Sequence, residues 1–193
     1  MIAKKIPIEV SAKHIHLCKK DLELLFGKGY KLKKMKDLTQ PCDFAAHETI
    51  IVQADHKKLT NVRIVGPVRE KTQVEISVTD AISLGIMPPV RMSGDLKGAL
   101  GVILIGPERR VHIQEGVIIP QRHIHLNEKE ARQLKLKNGM LVSVKIEGER
   151  TLVFGNVKVR VRKDYKPCLH LDTDEGNAAG IARKGEGIII NGK

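Results

Sequence analysis

His14-Ile15-His16-Leu17 recurs unchanged as His123-Ile124-His125-Leu126, and the flanking residues recur with it. The first copy reads VSAKHIHLCKKDLELL over residues 10–25, and the second reads IPQRHIHLNEKEARQL over residues 119–134. In each copy an apolar stretch leads into the motif and an acidic, helix-like segment follows it. Alternate side chains of an extended strand project from one face. Each His-x-His motif therefore aims two imidazoles at one point, as a metal ion requires.

A second repeat sets the register of an internal duplication. NVRI at residues 61–64 returns as NVKV at residues 156–159, an offset of 95 residues. Carried forward, this offset places Glu75 opposite His170. The His-x-His motifs are 109 residues apart, so the first half carries 14 more residues in its middle. Three protein ligands with one open position are typical of a catalytic zinc site. The two candidate sets are His14, His16, Glu75 and His123, His125, His170.

A single histidine on a strand also has a purely structural interpretation. Most histidines on strands are exposed or hydrogen-bonded rather than metal-bound, and we place His47, His56 and His112 in that group. Glu75, within TQVEISVT, could be an ordinary solvent-facing strand residue when it is taken alone. Its register with His170 favours a ligand.

Length and composition restrict the class of protein. The chain has 193 residues, 41% of them hydrophobic and only 3% aromatic, so its cores are built from Val, Ile and Leu. Its three cysteines are odd in number and lack CxxC spacing, which favours reduced thiols in the cytosol. The start, MIAKKIPIEVSA, lacks a signal-peptide core, and no stretch approaches 18 apolar residues. We expect a soluble cytoplasmic protein without a membrane partner.

The charge of the chain suggests an anionic partner. The formal net charge is +12 and the isoelectric point is about 9.7. With no Trp, two Tyr and three Phe, a platform that stacks single-stranded nucleic acid is not expected. No helix-turn-helix or zinc-finger spacing occurs. A small ligand that bears phosphate fits the charge, and we do not expect nucleic acid as a partner.

Periodicity predicts a mainly β (α+β) fold. Short runs rich in Val, Ile and Thr are separated by Gly, Pro or charged turns, which predicts strands and small barrels. The predicted strands are IPIEV, ETIIVQA, NVRIVGPV, QVEISV, GVILIG, RVHIQEGVIIP, LVSVKI, TLVFGNVKVRV and CLHLDT. The predicted helices are KKDLELLF, NEKEARQLKL with Asn127 as N-cap, TDAISLGI and DEGNAAGI. The last two end near a Gly.

Several segments resemble the phosphate propanoyltransferase family, the PduL-type phosphotransacylases. The resemblance covers about residues 5–190. It is carried by IPIEVSAKHIHLCKKDLELLFGKGY, FAAHETIIV, NVRIVGPVREKTQVEISVTDAISLGI, PPVRMSGDLKGALG, GVIIPQRHIHL and HLDTDEGNAAGI. It implies a reaction that interconverts a short-chain acyl-CoA (propanoyl-CoA or acetyl-CoA) plus phosphate with acyl phosphate plus CoA.

The resemblance also implies an architecture. Two internally duplicated small β-barrels, capped by short helices, exchange strands between the halves. Residues 13–26 and 48–93 would form the first barrel, with residues 27–47 as an inserted loop or two-stranded sheet. Residues 3–12 and 121–190 would form the second barrel, which the N-terminal strand completes. We expect a homo-oligomer, specifically a dimer.

The resemblance assigns roles to particular residues. The family has a two-zinc site between its barrels, with one zinc on the residues equivalent to His14, His16 and Glu75. The other takes those equivalent to His123, His125 and His170, which is the partition that the duplication predicts independently. The phosphate-binding arginine of the family, a catalytic residue, falls on Arg69. A planar guanidinium grips phosphate through two parallel hydrogen bonds. The expected cofactor is Zn²⁺, two ions per chain, with coenzyme A as substrate.

Three departures from the family pattern bear on these expectations. The chain shows no N-terminal extension of the kind that addresses family members to a bacterial microcompartment, so encapsulation is left open. Ile82 stands where family members often carry Phe, which bears on a CoA contact. Cys18 occupies a position where a hydroxyl or amide residue is usual, and we interpret it as a packing residue.

Two other functions remain open on the sequence alone. A zinc-dependent thioesterase or phosphoesterase would use the same ligands with a metal-bound water as the nucleophile. A basic β-barrel that binds nucleic acid is the non-enzymatic alternative. Phosphate dependence of CoA release separates the transferase from the hydrolase. Salt-sensitive DNA or RNA binding that survives chelation would mark the third function.

Overall fold

The computed structural model describes residues 4–192, which form fourteen strands and four short helices. The first seven strands are β1 (Lys4–Ser11), β2 (His14–His16), β3 (Lys34–Asp37), β4 (Phe44–Ala54), β5 (Lys57–Gly66), β6 (Gln73–Glu75) and β7 (Val90–Arg91). The rest are β8 (Leu100–Ile105), β9 (Arg110–Pro120), β10 (His123–Leu126), β11 (Leu141–Ile146), β12 (Leu152–Val161), β13 (Cys168–Asp172) and β14 (Lys184–Gly192). The helices are α1 (Lys19–Phe26), α2 (Val78–Leu84), α3 (Glu128–Leu134) and α4 (Thr173–Ala178). None of these helices is long and apolar enough to cross a membrane.

The chain divides into two compact units. The first unit comprises Ala12–Leu38 and Cys42–Pro120. The second unit comprises the residues up to Ser11, the short segment Thr39–Pro41 and the residues from Gln121 onward. The N-terminal strand therefore packs with the second half of the sequence.

Six strands of the first unit close into a barrel. Around the ring they run β2, β5, β4, β8, β9, β6 and back to β2. The pairings of β2 with β5 and of β6 with β9 are parallel, and the other four are antiparallel. Strand β3 extends the sheet beyond β4, and β7 pairs with β9.

The barrel of the second unit repeats this plan strand for strand. Its ring runs β10, β12, β11, β14, β1, β13 and back to β10, with parallel pairings at the same two places. Strand β1, which precedes the first His-x-His motif, completes the second barrel. Strand β9, which directly precedes the second motif, completes the first. The predicted pair of duplicated barrels with exchanged strands is thus confirmed.

Alternation along the His-x-His strands separates core from site. Ile15 lies between the two histidines of β2 and is fully buried in a cluster that includes Val62 and Ile64. Ile124 does the same in β10, against Val157 and Val159. Because neighbouring side chains of a strand face opposite ways, burying the isoleucine turns both histidines of each motif away from the core.

The repeated asparagine of the NVRI and NVKV segments has a backbone function. Asn61 and Asn156 both adopt a left-handed conformation with φ of 55°. Asparagine tolerates this region better than other residues with a β-carbon, because its short polar side chain bonds locally. The same backbone irregularity therefore recurs in β5 and β12, where the two halves of the sequence match.

Every helix begins directly after a strand that carries candidate ligands. The N-cap residue lies two positions after the last candidate ligand of the strand in all four cases. The N-caps are Cys18, Ser77, Asn127 and Asp172. Asn127 was expected from sequence and is confirmed, and Gly85 ends α2 in a left-handed conformation as predicted. Each strand that carries candidate ligands therefore leads directly into a capped helix.

Candidate active site

The first candidate set assembles where β2 and β6 lie side by side. Antiparallel pairing places His14 directly opposite Glu75. The possible ligand atoms of His14, His16 and Glu75 all lie within 4.8 Å of one another. His14 Nε2 is 3.5 Å from Glu75 Oε2. The structure therefore brings together the three residues that the duplication grouped.

The second set has the same construction in the other unit. Strands β10 and β13 are antiparallel, and His123 lies opposite His170 as His14 lies opposite Glu75. The possible ligand atoms of His123, His125 and His170 lie within 4.8 Å of one another. The centroids of the three rings are 4.7–5.2 Å apart. Three imidazoles thus converge where the first unit has two imidazoles and a carboxylate.

Backbone carbonyls select one tautomer for three of these histidines. The Nδ1–H groups of His14 and His123 each donate to the carbonyl two residues earlier, of Ala12 and Gln121, at 2.9 Å. His16 Nδ1 donates to the carbonyl of Val65 at 3.1 Å. Because a carbonyl only accepts hydrogen bonds, the proton sits on Nδ1, and in the neutral ring Nε2 keeps the lone pair that can bind a metal. Metal-binding histidines are usually oriented in this way.

The second histidine of each His-x-His motif is held in its neutral form. Burial lowers the pKa of His16 well below its usual range, and the charges of His14 and Arg69 act in the same direction. Burial also lowers the pKa of His125 to about 2, helped by His123, His170 and the arginines 160 and 162. A neutral imidazole is the form that binds metal.

His125 carries a polar group that the fold alone does not satisfy. Its side chain is 7% exposed, and neither ring nitrogen forms a hydrogen bond within the part of the chain that the structure describes. A buried polar group without a partner is costly. A cation bound to a ring nitrogen would satisfy it. Two imidazoles with a carboxylate in the first set, and three imidazoles in the second, are donors that fit a zinc ion.

A third group of donors overlaps the second set. Possible ligand atoms of Glu9, Cys168 and His170 also lie within 4.8 Å of one another. Burial raises the pKa of the Cys168 thiol to about 12, and the Glu9 carboxylate adds to the effect. The thiolate is the form that binds metal, so the three-imidazole group is the better donor set.

Arg69 lies beside the first set. Its backbone N–H donates to the Leu17 carbonyl at 2.9 Å, directly after β2, and its Nη1 donates to Ser93 Oγ at 3.1 Å. The guanidinium is near enough to His16 to lower the pKa of that ring. The structure therefore places the predicted phosphate-binding residue next to the first three candidate ligands.

The two barrels repeat one ion pair around their candidate sites. Lys13 Nζ is 3.1 Å from Asp80 Oδ1, and Arg122 Nε is 2.6 Å from Glu175 Oε1. In each half the basic residue that precedes the first histidine pairs with the third residue of the helix that follows the third candidate ligand. The internal duplication therefore repeats this ion pair as well as the candidate ligands.

Four residues near the candidate sets were not predicted from sequence. Gln73 donates to Glu75 and Ser93, and Gln40 reaches within 3.5 Å of His170 Nε2 while its amide bonds both the N–H and the carbonyl of Lys166. The Tyr165 ring lies 4.0 Å from the His125 ring, centroid to centroid. Of these residues only Gln73 has a signal in the sequence: it precedes Glu75 by two positions, so both side chains lie on the same face of the strand.

The two departures at Cys18 and Ile82 have defined structural settings. Cys18 caps α1, with its sulfur accepting from the Asp21 N–H at 3.5 Å. An N-cap accepts a backbone hydrogen bond, which explains why a hydroxyl or amide residue suits this position. Ile82 lies on α2 and is 64% exposed, so it contributes little to the core.

The chain is similar to known proteins over most of its length. Residues 7–182 match the family model described as phosphate propanoyltransferase. A phosphate propanoyltransferase of Thermotoga maritima is 49% identical over 175 residues, which cover 90% of this chain and 83% of the relative. A protein of the same name from Salmonella typhimurium is 46% identical over 181 residues, 93% of this chain and 86% of the relative. One from Lachnoclostridium phytofermentans is 47% identical over 177 residues, 91% and 83%. The chain belongs to the phosphate propanoyltransferase family and is an acyltransferase of the phosphotransacylase type.

Proposed function

We propose that the protein interconverts a short-chain acyl-CoA plus phosphate with acyl phosphate plus free CoA, using two zinc ions per chain. Propanoyl-CoA and acetyl-CoA are both proposed substrates. The zinc ligands are His14, His16 and Glu75 in the first unit and His123, His125 and His170 in the second, and Arg69 binds phosphate. The observation that carries the proposal is that two equivalent strand pairs bring these ligand sets together, with Arg69 beside the first.

Acyl transfer to phosphate exchanges one acyl bond for another. A phosphate oxygen attacks the thioester carbonyl, the acyl–sulfur bond breaks, and the sulfur leaves as a thiolate that takes up a proton. The costly charges are those on the carbonyl oxygen in the transition state and on the departing sulfur. Bound zinc supplies Lewis acidity that lowers the pKa of a thiol and stabilises negative charge on oxygen.

The residues of the chain divide these tasks by charge. Glu75 gives the first set a carboxylate, which would offset part of the charge of a bound zinc ion and so suit a sulfur that must remain nucleophilic in the reverse direction. The three imidazoles of the second set would leave the charge of a bound ion undiminished, which would suit polarisation of an oxygen. Arg69 aligns phosphate through its fork of N–H groups, a proximity effect.

The experiment is an assay of CoA release with and without phosphate. The protein is supplied with acetyl-CoA or propanoyl-CoA, free thiol is followed by a chromogenic reagent, and acyl phosphate is trapped with hydroxylamine. The proposal predicts thiol release that depends on phosphate and matches the acyl phosphate formed. Thiol release of equal rate without phosphate, and without acyl phosphate, would identify a hydrolase instead.

A further inference from the structure

Gln73 uses every polar atom of its side chain in a buried network. The residue is 2% exposed. Its Nε2 donates one hydrogen bond to Glu75 Oε1 and a second, of 2.9 Å, to Ser93 Oγ. Its Oε1 accepts from the Gly94 N–H at 2.7 Å. One side chain therefore connects a candidate metal ligand with the loop that follows β7.

Ser93 extends this network to Arg69. The Ser93 hydroxyl oxygen accepts from Gln73 Nε2 and, at 3.1 Å, from Arg69 Nη1. A hydroxyl oxygen has two lone pairs, so both are engaged. Glu75, Gln73, Ser93 and Arg69 form a continuous chain of hydrogen bonds within the first unit.

We propose that Gln73 is a positioning residue that ties the carboxylate of Glu75 to the guanidinium of Arg69 through the Ser93 hydroxyl. The metal-binding group and the phosphate-binding group of the first unit are thereby oriented together. The inference rests on the proposed function for what Glu75 and Arg69 bind. The hydrogen bonds themselves do not depend on it.

The chemistry of the network requires an amide at position 73. Glu75 and Ser93 both need a donor, while the Gly94 N–H needs an acceptor, and a glutamine side chain offers both. A carboxylate at this position would repel Glu75 and could not donate. A methionine of similar length would leave the Gly94 N–H and the Glu75 oxygen without their partner, at a cost typical of a lost buried hydrogen bond.

The second half of the sequence has no glutamine at the strand position equivalent to Gln73. Gln73 lies opposite His16, and the residue opposite His125 is Cys168, whose thiol donates to the Leu169 carbonyl at 3.6 Å. The position 95 residues after Arg69 is Asp164, an acid rather than a base. Of the two equivalent strand positions, the one with an amide therefore lies in the unit that carries Arg69, whereas in the second unit the Gln40 amide comes within 3.5 Å of His170 Nε2.

Gln73→Met tests the inference through two binding measurements that do not need turnover. Zinc release is followed against increasing chelator, and inorganic phosphate is titrated into the zinc-loaded protein by calorimetry. Hydrogen-bond partners of metal ligands typically contribute about 10- to 100-fold to metal affinity. We expect one zinc equivalent to be lost at about 10- to 100-fold lower chelator, together with weaker phosphate binding.

Gln53→Met is the matched control. Gln53 is a partly buried glutamine of β4 in the same barrel, and its Nε2 donates to the Asp55 carbonyl at 2.7 Å. The control loses an amide and its hydrogen bond without touching the network. It should lower thermal stability at most, with zinc release and phosphate affinity unchanged. Equal effects of the two substitutions would overturn the inference.

Ser93→Ala provides a second test that leaves the core intact. It removes the link to Arg69 but leaves the bond between Gln73 and Glu75, so phosphate should bind several-fold more weakly while zinc is retained. Ser93→Thr keeps the hydroxyl and should restore phosphate affinity. Unchanged phosphate binding in Ser93→Ala would refute the link to Arg69, even if Gln73→Met did not fold. A wild-type protein without transferase activity would refute the proposed function instead, and the zinc measurement would still decide the contact between Gln73 and Glu75.

Discussion

A few contacts around each ring fix where the candidate histidine ligands carry a proton. The carbonyls of Ala12 and Gln121 fix the protons of His14 and His123 on Nδ1. Burial keeps His125 neutral. These contacts come from the residue two positions earlier and from strand packing, so any chain with this strand geometry acquires them.

The sequence alone indicated the candidate ligands but not the loop residues that contact them. The ligand sets followed from the His-x-His spacing and one alignment offset, since strand periodicity and duplication are local features of a sequence. Gln40 and Ser93 could not be found in this way, because each reaches its partner from a separate loop. Their roles depend on distances that only the fold creates.

Arg69→Ala should weaken phosphate binding selectively. Loss of a charge-assisted hydrogen bond costs about 1.5–3 kcal/mol, which corresponds to roughly 10- to 150-fold. We expect the KM for phosphate to rise by a factor in this range and the KM for acyl-CoA to change far less. Steady-state kinetics with each substrate varied in turn measure the difference. Arg132→Ala, at an exposed arginine of α3, is the control. Equal increases for both substrates would show that Arg69 is structural.

Glu75→His should make the first set resemble the second. Histidine is a good zinc ligand, so we expect the metal to remain while the charge of the ion is no longer partly offset. A sulfur bound there would be held more tightly and would be less nucleophilic. The expected result is retained zinc, stronger inhibition by CoA and a large loss of turnover from acyl phosphate to acyl-CoA. Normal turnover with normal zinc content would show that Glu75 is not a ligand.

At the scale of elements, helix starts secure the ligand strands. Each of the four helices is capped two residues after a candidate ligand. The cap of α4 is a capping box in which Asp172 and Glu175 bond each other's backbone N–H groups. Short helices are marginal without such caps, so the caps contribute to the precision of the site.

Most strands and all four helices were predicted, and the omissions have physical causes. Strand β14 was missed because Gly185 and Gly187 interrupt its apolar pattern, and glycine normally indicates a turn. Here a β-carbon at Gly187 would lie 2.6 Å from Val144 Cγ1, so the glycine permits close packing between strands. Periodicity did not indicate β3, which is exposed and charged, although the family resemblance implied a loop or two-stranded sheet at residues 27–47. Strand β7 was missed because it has only two residues.

The duplication supplies a test of capping with its own control. Cys18 caps α1 with sulfur, a weak acceptor, at 3.5 Å, whereas Asn127 caps α3 with its amide oxygen at 3.0 Å. Cys18→Asn should stabilise the protein by about 0.5–1 kcal/mol, and Asn127→Cys should destabilise it by a similar amount. Urea denaturation at constant zinc measures both. Opposite signs are expected, and a destabilised Cys18→Asn variant would show that the sulfur has another role.

At the scale of the whole chain, duplication and strand exchange define the architecture. Strand β1 lies between β13 and β14 in the second barrel, and β9 lies between β6 and β8 in the first. A closed ring leaves none of its strands with an unpaired edge. The exchange could be expected only from the family resemblance, because periodicity identifies a strand but not its neighbours.

The central claim is that two equivalent ligand sets each hold one zinc ion, and metal analysis tests it most directly. The protein as isolated should contain about two zinc ions per chain, since each set offers three ligands. Replacing both His123 and His125 with Ala should reduce the content to about one, with the first set largely filled. A zinc content near zero in the unmodified protein, with transferase activity unaffected by a strong chelator, would contradict the account.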